Sequence, residues 1–208
     1  MIHCIRNLKI RLKLYILIGV ALLGMLIISG MSFFLMGRLN DMTNDIATSW
    51  LPSVDTAREL SATLSNIRLN ELGYLTANSS MREETSLQYL HSEKEIMDTL
   101  LATYGALIDE EESAFYENAN DLWTKYRNAD EKILALAQQG QMERARDILE
   151  VDCEDLFNSL NSAFDDIIAY NTTGSNNAAA ESASLYRTAI FTMTAILIAI
   201  ILVGVFFS

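Results

Sequence analysis

Arg68 and Lys94 are the residues most suited to chemistry, two cations in a chain with 27 acidic against 15 basic side chains. A guanidinium presents a planar fork of donors that matches a carboxylate, and a neighbouring ammonium or phenol can complete the grip. Arg68, Lys94 and Tyr126 therefore form a candidate ligand-binding set for a small carboxylate. A plainer reading stands beside it. Each cation's aliphatic stem can lie along apolar surface with its charge in water, or pair with Glu71, Glu93 or Asp130. The sequence leaves both open.

Other chemistries find no support. Only two histidines occur, His3 and His91, too few for a multi-histidine metal or haem site, and metal and cofactor are both expected to be absent. The chain shows no C-x-x-C, H-E-x-x-H, G-x-S-x-G or glycine-rich phosphate loop, so no enzyme is expected. The carboxylate run at Asp109 to Glu112 reads as a capped helix start, with Asp109 as the cap, ahead of any metal reading.

The elements that must position the three side chains are helical. Residues 37–188 hold one proline, Pro52, and no alternating strand pattern. Helix one is expected over about Arg38 to Ala77, kinked at Pro52, with Ser80 capping helix two and Glu83 completing a capping box. Helix two places Leu87, Leu90, Met97, Leu101, Tyr104 and Ile108 on one face. Helix three uses Phe115, Ala119, Leu122, Tyr126, Ala129, Ile133 and Leu136 and stops at Gly140. Helix four carries Leu149, Cys153, Leu156, Leu160, Ala163, Ile167 and Tyr170 at spacings of three and four, a bundle seam.

Two uncharged apolar runs flank these helices, Leu14–Met36 with 23 residues and Ala189–Phe207 with 19. A membrane-spanning helix needs about 20. Arg6, Lys9, Arg11 and Lys13 precede the first run, which places residues 1–13 in the cytoplasm by the positive-inside rule. The resulting division is a basic N-terminus at 1–13, a first span at 14–36, an exported bundle at 37–188 and a second span at 189–207. The fold class is all-α, an antiparallel up-down four-helix bundle continuous with two transmembrane helices.

Residues 37–188 contain every acidic side chain and 11 of the 15 basic ones, a net charge of −16. That charge argues against nucleic acid and against docking on anionic lipid. Cys4 and Cys153 fall on opposite sides of the membrane and cannot pair. Cys153 is then a small buried hydrophobe or half of an intersubunit bridge.

Depth brings the site together. With the far turns near Ser79 and Gly140, Arg68 lies 11 residues below its turn, about 16 Å along a helix. The same level falls near His91 and Lys94, near Tyr126 to Asp130, and near Val151 to Cys153. Tyr170 lies too deep to join and reads as core.

Trp50 to Leu75, WLPSVDTARELSATLSNIRLNELGYL, resembles the first bundle helix of bacterial methyl-accepting chemotaxis proteins in its Leu-Pro and in Ile67-Arg68 followed by Glu71. LWTKY, at Leu122 to Tyr126, resembles their third helix. The resemblance implies a two-pass receptor in the bacterial inner membrane with a periplasmic bundle, forming homodimers or larger arrays. It also implies an arginine on the first helix gripping an organic acid or amino acid. Such receptors continue past the second span into a HAMP linker and a kinase-controlling coiled coil, so the chain is expected to be the sensory half of a longer protein. The alternatives are the sensor of a histidine kinase or diguanylate cyclase, and a ligand-free helical scaffold.

Overall fold

The computed structural model describes residues 10–108 and 110–207, all helix and turn with no strand. The first nine residues, with Cys4, and the expected cap Asp109 lie outside the described residues. Helices α1 (Ile10–Asp45), α2 (Leu51–Leu75), α3 (Ser80–Gly105), α4 (Ser113–Gln138), α5 (Met142–Glu150) and α6 (Asp152–Phe207) follow one another, with a π-helical turn at Ile46–Trp50. They make an all-α four-helix bundle in which α5 and the first part of α6 share the fourth leg.

Two compact units result, one of the chain up to residue 46 and from 176 onward, the other of residues 47–175. In the first unit two stretches are long and apolar enough to cross a membrane. Leu22, Phe33, Phe34, Phe191 and Leu197 are exposed on it, as suits helices solvated by lipid. Ser32 Oγ lies 3.8 Å from Met193 Sδ, and Arg38 pairs with Glu181 at 3.4 Å.

The second unit is the bundle. Its core follows the seven-residue repeats of the sequence: Ala57 and Leu64, Leu60, Ile67 and Tyr74 on α2; Leu90, Met97 and Tyr104 on α3; Ala119, Tyr126 and Ile133 on α4; Cys153, Leu160 and Ile167 on α6. Leu122, Ala129 and Leu136 are only partly buried. The helix-three seam is rotated from the expected one, so that Trp123, Asp130 and Ala137 enter the core instead.

Four local expectations change. Ser79, not Ser80, caps α3: its backbone is extended and its hydroxyl accepts from the Arg82 amide at 3.4 Å. Pro52 stands just after the π-turn at Ile46–Trp50, inside a helical run continuous from Ile10 to Leu75, and the backbone irregularity is that π-turn rather than a break at the proline itself. Glu112 is 2% exposed rather than a solvated cap. The fourth leg breaks at Val151, and the acidic Asp152, Glu154 and Asp155 then open α6, favourable to its helix dipole.

At the turn after α4, Gly140 has φ of 77°. Its amide donates to Ala137 and that of Gln141 to Leu136, each at 2.9 Å, the paired closure of a Schellman motif. A side chain would strain that left-handed residue.

Candidate ligand site

The depth arithmetic places Arg68, Lys94 and Tyr126 on α2, α3 and α4, and all three join one polar layer around Glu71. Glu71 extends the core row of Ala57 and Leu64 by seven residues, so the helix carries its carboxylate inward; it is 1% exposed. The Tyr126 hydroxyl donates to Glu71 Oε2 at 2.6 Å, and Arg68 Nη1 lies 3.7 Å from the same oxygen. Tyr126 stacks on Trp123, with centroids 6.1 Å apart and planes 17° from parallel. The Trp123 indole donates to Asp98 at 2.7 Å, which fixes the stack to α3.

Arg68 reaches across to the break in the fourth leg. Its Nη2 donates to the Leu149 carbonyl at 2.8 Å and to Glu154 Oε2 at 2.7 Å, on either side of Val151. Its guanidinium also sits 5.8 Å from the centre of the Phe157 ring. Lys94 pairs with Asp130, which is fully buried at the core position seven residues after Trp123. The two cations thus take the ion-pairing course that the sequence left open: Arg68 with Glu71 and Glu154, Lys94 with Asp130.

Burial in this layer shifts its acid–base behaviour. Desolvation pushes the Glu71 carboxyl up to about 7, against the opposing pull of Tyr126, Arg68 and Lys94. Burial lowers the Lys94 ammonium and raises the Tyr126 phenol. The Cys153 thiol is pushed up to about 11, also by burial. It is fully buried in the bundle core, where it packs as a small hydrophobe. Arg68 Nη1, Glu71 Oε1 and Asp130 Oδ1 are buried without a hydrogen-bond partner among the described residues.

A carboxylate could use this layer in one way. Arg68 already holds an acid, Glu154, whose side chain is about half exposed (49%) while that of Arg68 is 12% exposed. An incoming carboxylate would take the fork by replacing Glu154 from the solvent side. Glu154 stands 86 residues from Arg68 in sequence and carries no helix-one signal, so only the folded chain brings it in. Glu71 and Asp130 were readable as possible partners; their seven-residue spacing from core positions is the signal that places them inside.

A second polar layer lies near the other end of the bundle. Glu112 Oε1 accepts from the Tyr104 hydroxyl at 2.9 Å and from Asn171 Nδ2 at 2.5 Å. The Tyr170 hydroxyl donates to Glu111 at 3.2 Å, and its half-buried ring lies against Trp50 and Phe115. Sequence reasoning missed this layer because a run of four acids reads as a solvated terminus. Elsewhere a shallow groove of about 350 Å³ runs past Gly73, Met81, Arg82 and Ser86. His91 is exposed beside Glu95. Among the described residues no group of histidine, cysteine and acid side chains could hold a metal ion.

Residues 7–186 match the family described as the four helix bundle sensory module for signal transduction. The chain is similar to a protein of Bacillus subtilis (strain 168) named as the sensory transducer protein YvaQ, 20% identical over 182 residues. It is also similar to one named as a sensory transducer protein in Acetivibrio thermocellus, 28% identical over 99 residues. These matches cover 87% and 48% of this chain, but only 32% and 17% of the respective relatives.

Proposed function

The chain belongs to the four-helix-bundle sensory modules of signal transduction, and from that premise we propose that it is the stimulus-receiving part of a two-pass membrane receptor of the chemotaxis type. One observation carries the reading. A single helix, α6, supplies bundle core at Cys153, Leu160 and Ile167, and the same helix contains the second candidate span. A stimulus that moves α6 in the bundle is thereby coupled to the apolar segment without any intervening loop.

In this reading the basic N-terminus is cytoplasmic and the bundle faces the periplasm of the bacterial inner membrane. The ligand is a small organic acid or amino acid held by Arg68, with Tyr126 and Lys94 backing the site through Glu71 and Asp130, and binding moves Glu154 off the fork. The receptor performs no catalysis. It works as a homodimer or within a larger array, and its output lies in a kinase-control region outside this chain. Ligand can shift the equilibrium only by binding one arrangement of α2 and α6 better than another.

A thermal-shift screen of the whole chain in lipid nanodiscs tests this, using organic acids, amino acids and amines. A compound at 100 times its dissociation constant should stabilise the fold by about 2.7 kcal/mol. A screen in which acids and amino acids leave the melting point unchanged would favour a ligand-free scaffold.

A further inference from the structure

The layer around Glu71 contains two cations and three carboxylates. Both cations are engaged in short ion pairs, Arg68 with Glu154 and Lys94 with Asp130. Glu71 is the odd acid. It sits at 1% exposure with Oε1 lacking a hydrogen-bond partner among the described residues, and its Oε2 shares Arg68 only at 3.7 Å. Ionised, it leaves one uncompensated negative charge in the middle of an apolar core, which is costly. With a proton on Glu71 the layer is neutral.

We propose that this layer is a proton-binding site through which the module senses the pH of the compartment its bundle faces, with Glu71 as the proton acceptor and Arg68 as the moving cation. When Glu71 carries its proton, Arg68 is committed to Glu154 and to the Leu149 carbonyl, and α2 is latched across the Val151 break. When Glu71 releases its proton to solvent, its carboxylate competes for the same guanidinium. Arg68 Nη1, which lacks a hydrogen-bond partner among the described residues and lies 3.7 Å from Glu71 Oε2, is drawn toward the ionised carboxylate, and the rigid guanidinium then tilts its Nη2 away from Leu149 and Glu154.

The groups that face Glu71 come from every packed element: Arg68 on α2, Lys94 on α3, Tyr126 on α4, and Cys153 and Glu154 on α6, with Asp130 bound to Lys94 behind them. Tyr126 is shifted upward and Cys153 to about 11, so neither releases a proton near neutrality. Glu71, at about 7, does. This site needs no organic ligand and stands independently of the carboxylate reading.

Infrared pH-difference spectra of the full chain in nanodiscs test the proposal, scanned from about pH 5.5 to about pH 9, above the ordinary carboxylate range. A carboxylic-acid carbonyl band should grow as pH falls through about 7 and be missing in Glu71→Gln. In Glu154→Gln the freed guanidinium should stabilise ionised Glu71, so the band should move to lower pH. Spin labels on exposed Ser65 and Ser159 give the conformational readout. Their separation should widen as pH rises in the parent and stay constant in Glu71→Gln. The proposal is overturned if the parent shows no such band, if the band survives in Glu71→Gln, or if its midpoint is the same in Glu154→Gln. A label distance that does not respond to pH in the parent would overturn the sensing role. Should Glu71→Gln lose its helical circular dichroism, the Glu154→Gln shift and the parent's label distances decide between these outcomes.

Discussion

Arg68 and Arg146 cap each other's helices in opposite directions. Arg68 on α2 donates to the Leu149 carbonyl near the end of α5 at 2.8 Å, and Arg146 on α5 donates to the carbonyl of Leu75, the last residue of α2, at 2.9 Å. The last carbonyls of a helix have no partner within it, so two otherwise stranded acceptors are satisfied across one interface. The pair makes α2 and the short α5 a single mechanical element.

Arg146→Met keeps the aliphatic stem and removes the donor. It should lower stability by about 1–3 kcal/mol, the cost of a part-buried carbonyl left unpaired. It should not change the pH midpoint of Glu71. Urea unfolding of the parent and the variant, side by side, checks the first expectation. A variant as stable as the parent would mean that water serves the Leu75 carbonyl equally well.

Glu71 predicts a slope in stability against pH. Its folded-state value, raised from 4.5 to about 7, means that the folded chain binds this proton more tightly than the unfolded chain. The stabilisation is fully present below about 4.5, declines as pH rises and is gone above about 7. Melting temperatures across that window should fall in the parent, and Glu71→Gln should remove this part of the decline. A parent curve that rises with pH, with Glu71→Gln superimposed on it, would refute the assignment.

At Gly174, α6 passes close against the Trp50 ring. A Cβ there would come within 2.3 Å of the Trp50 ring at Cζ3 and 2.5 Å of Cη2. Gly174→Ala must therefore push α6 or Trp50 aside, at a cost of about 1–3 kcal/mol for overpacking. The double change with Trp50→Leu should recover much of it, a non-additivity that a double-mutant cycle reads directly.

The second polar layer yields a further expectation. Glu112→Ala withdraws the acceptor of the Tyr104 hydroxyl and one of the two acceptors of Asn171 Nδ2, which also donates to the Ile167 carbonyl at 3.1 Å. A buried donor without a partner costs about 1–3 kcal/mol and the weakened Asn171 amide adds to it, so this loss should exceed that of Arg146→Met. Chemical denaturation of the two variants under one condition compares them.

Much of the fold was legible because its core repeats every seven residues. Leu60, Ile67 and Tyr74, and Leu90, Met97 and Tyr104, are apolar at each turn of that repeat and fall inside as read. Where the repeat is interrupted by a charge, the apolar pattern misleads. Asp130 occupies a core position because Lys94 neutralises it from the next helix, and no local rule reveals that pairing. Reading Leu122, Ala129 and Leu136 as the seam followed hydrophobicity, whereas the bundle turns Trp123 and Asp130 inward. The site level itself came from helix length alone and brought Arg68, Lys94 and Tyr126 together. Glu154 stayed hidden because the break at Val151, which sets where α6 starts, has no glycine or proline to announce it.

The central claim is that a carboxylate acts on this module by competing with Glu154 for Arg68, and one measurement bears on it most directly. Titration calorimetry of a panel of mono- and dicarboxylates and amino acids into the full chain gives affinities for the parent, Arg68→Lys and Glu154→Gln. Truncating one member of a buried charge pair costs on the order of 2–5 kcal/mol, and an ammonium cannot reproduce the planar fork. Arg68→Lys should therefore lose most of the binding, while Glu154→Gln, relieved of its internal competitor, should bind more tightly than the parent. If both variants bind the same compound as tightly as the parent, Arg68 is a structural latch only, and the carboxylate site lies elsewhere.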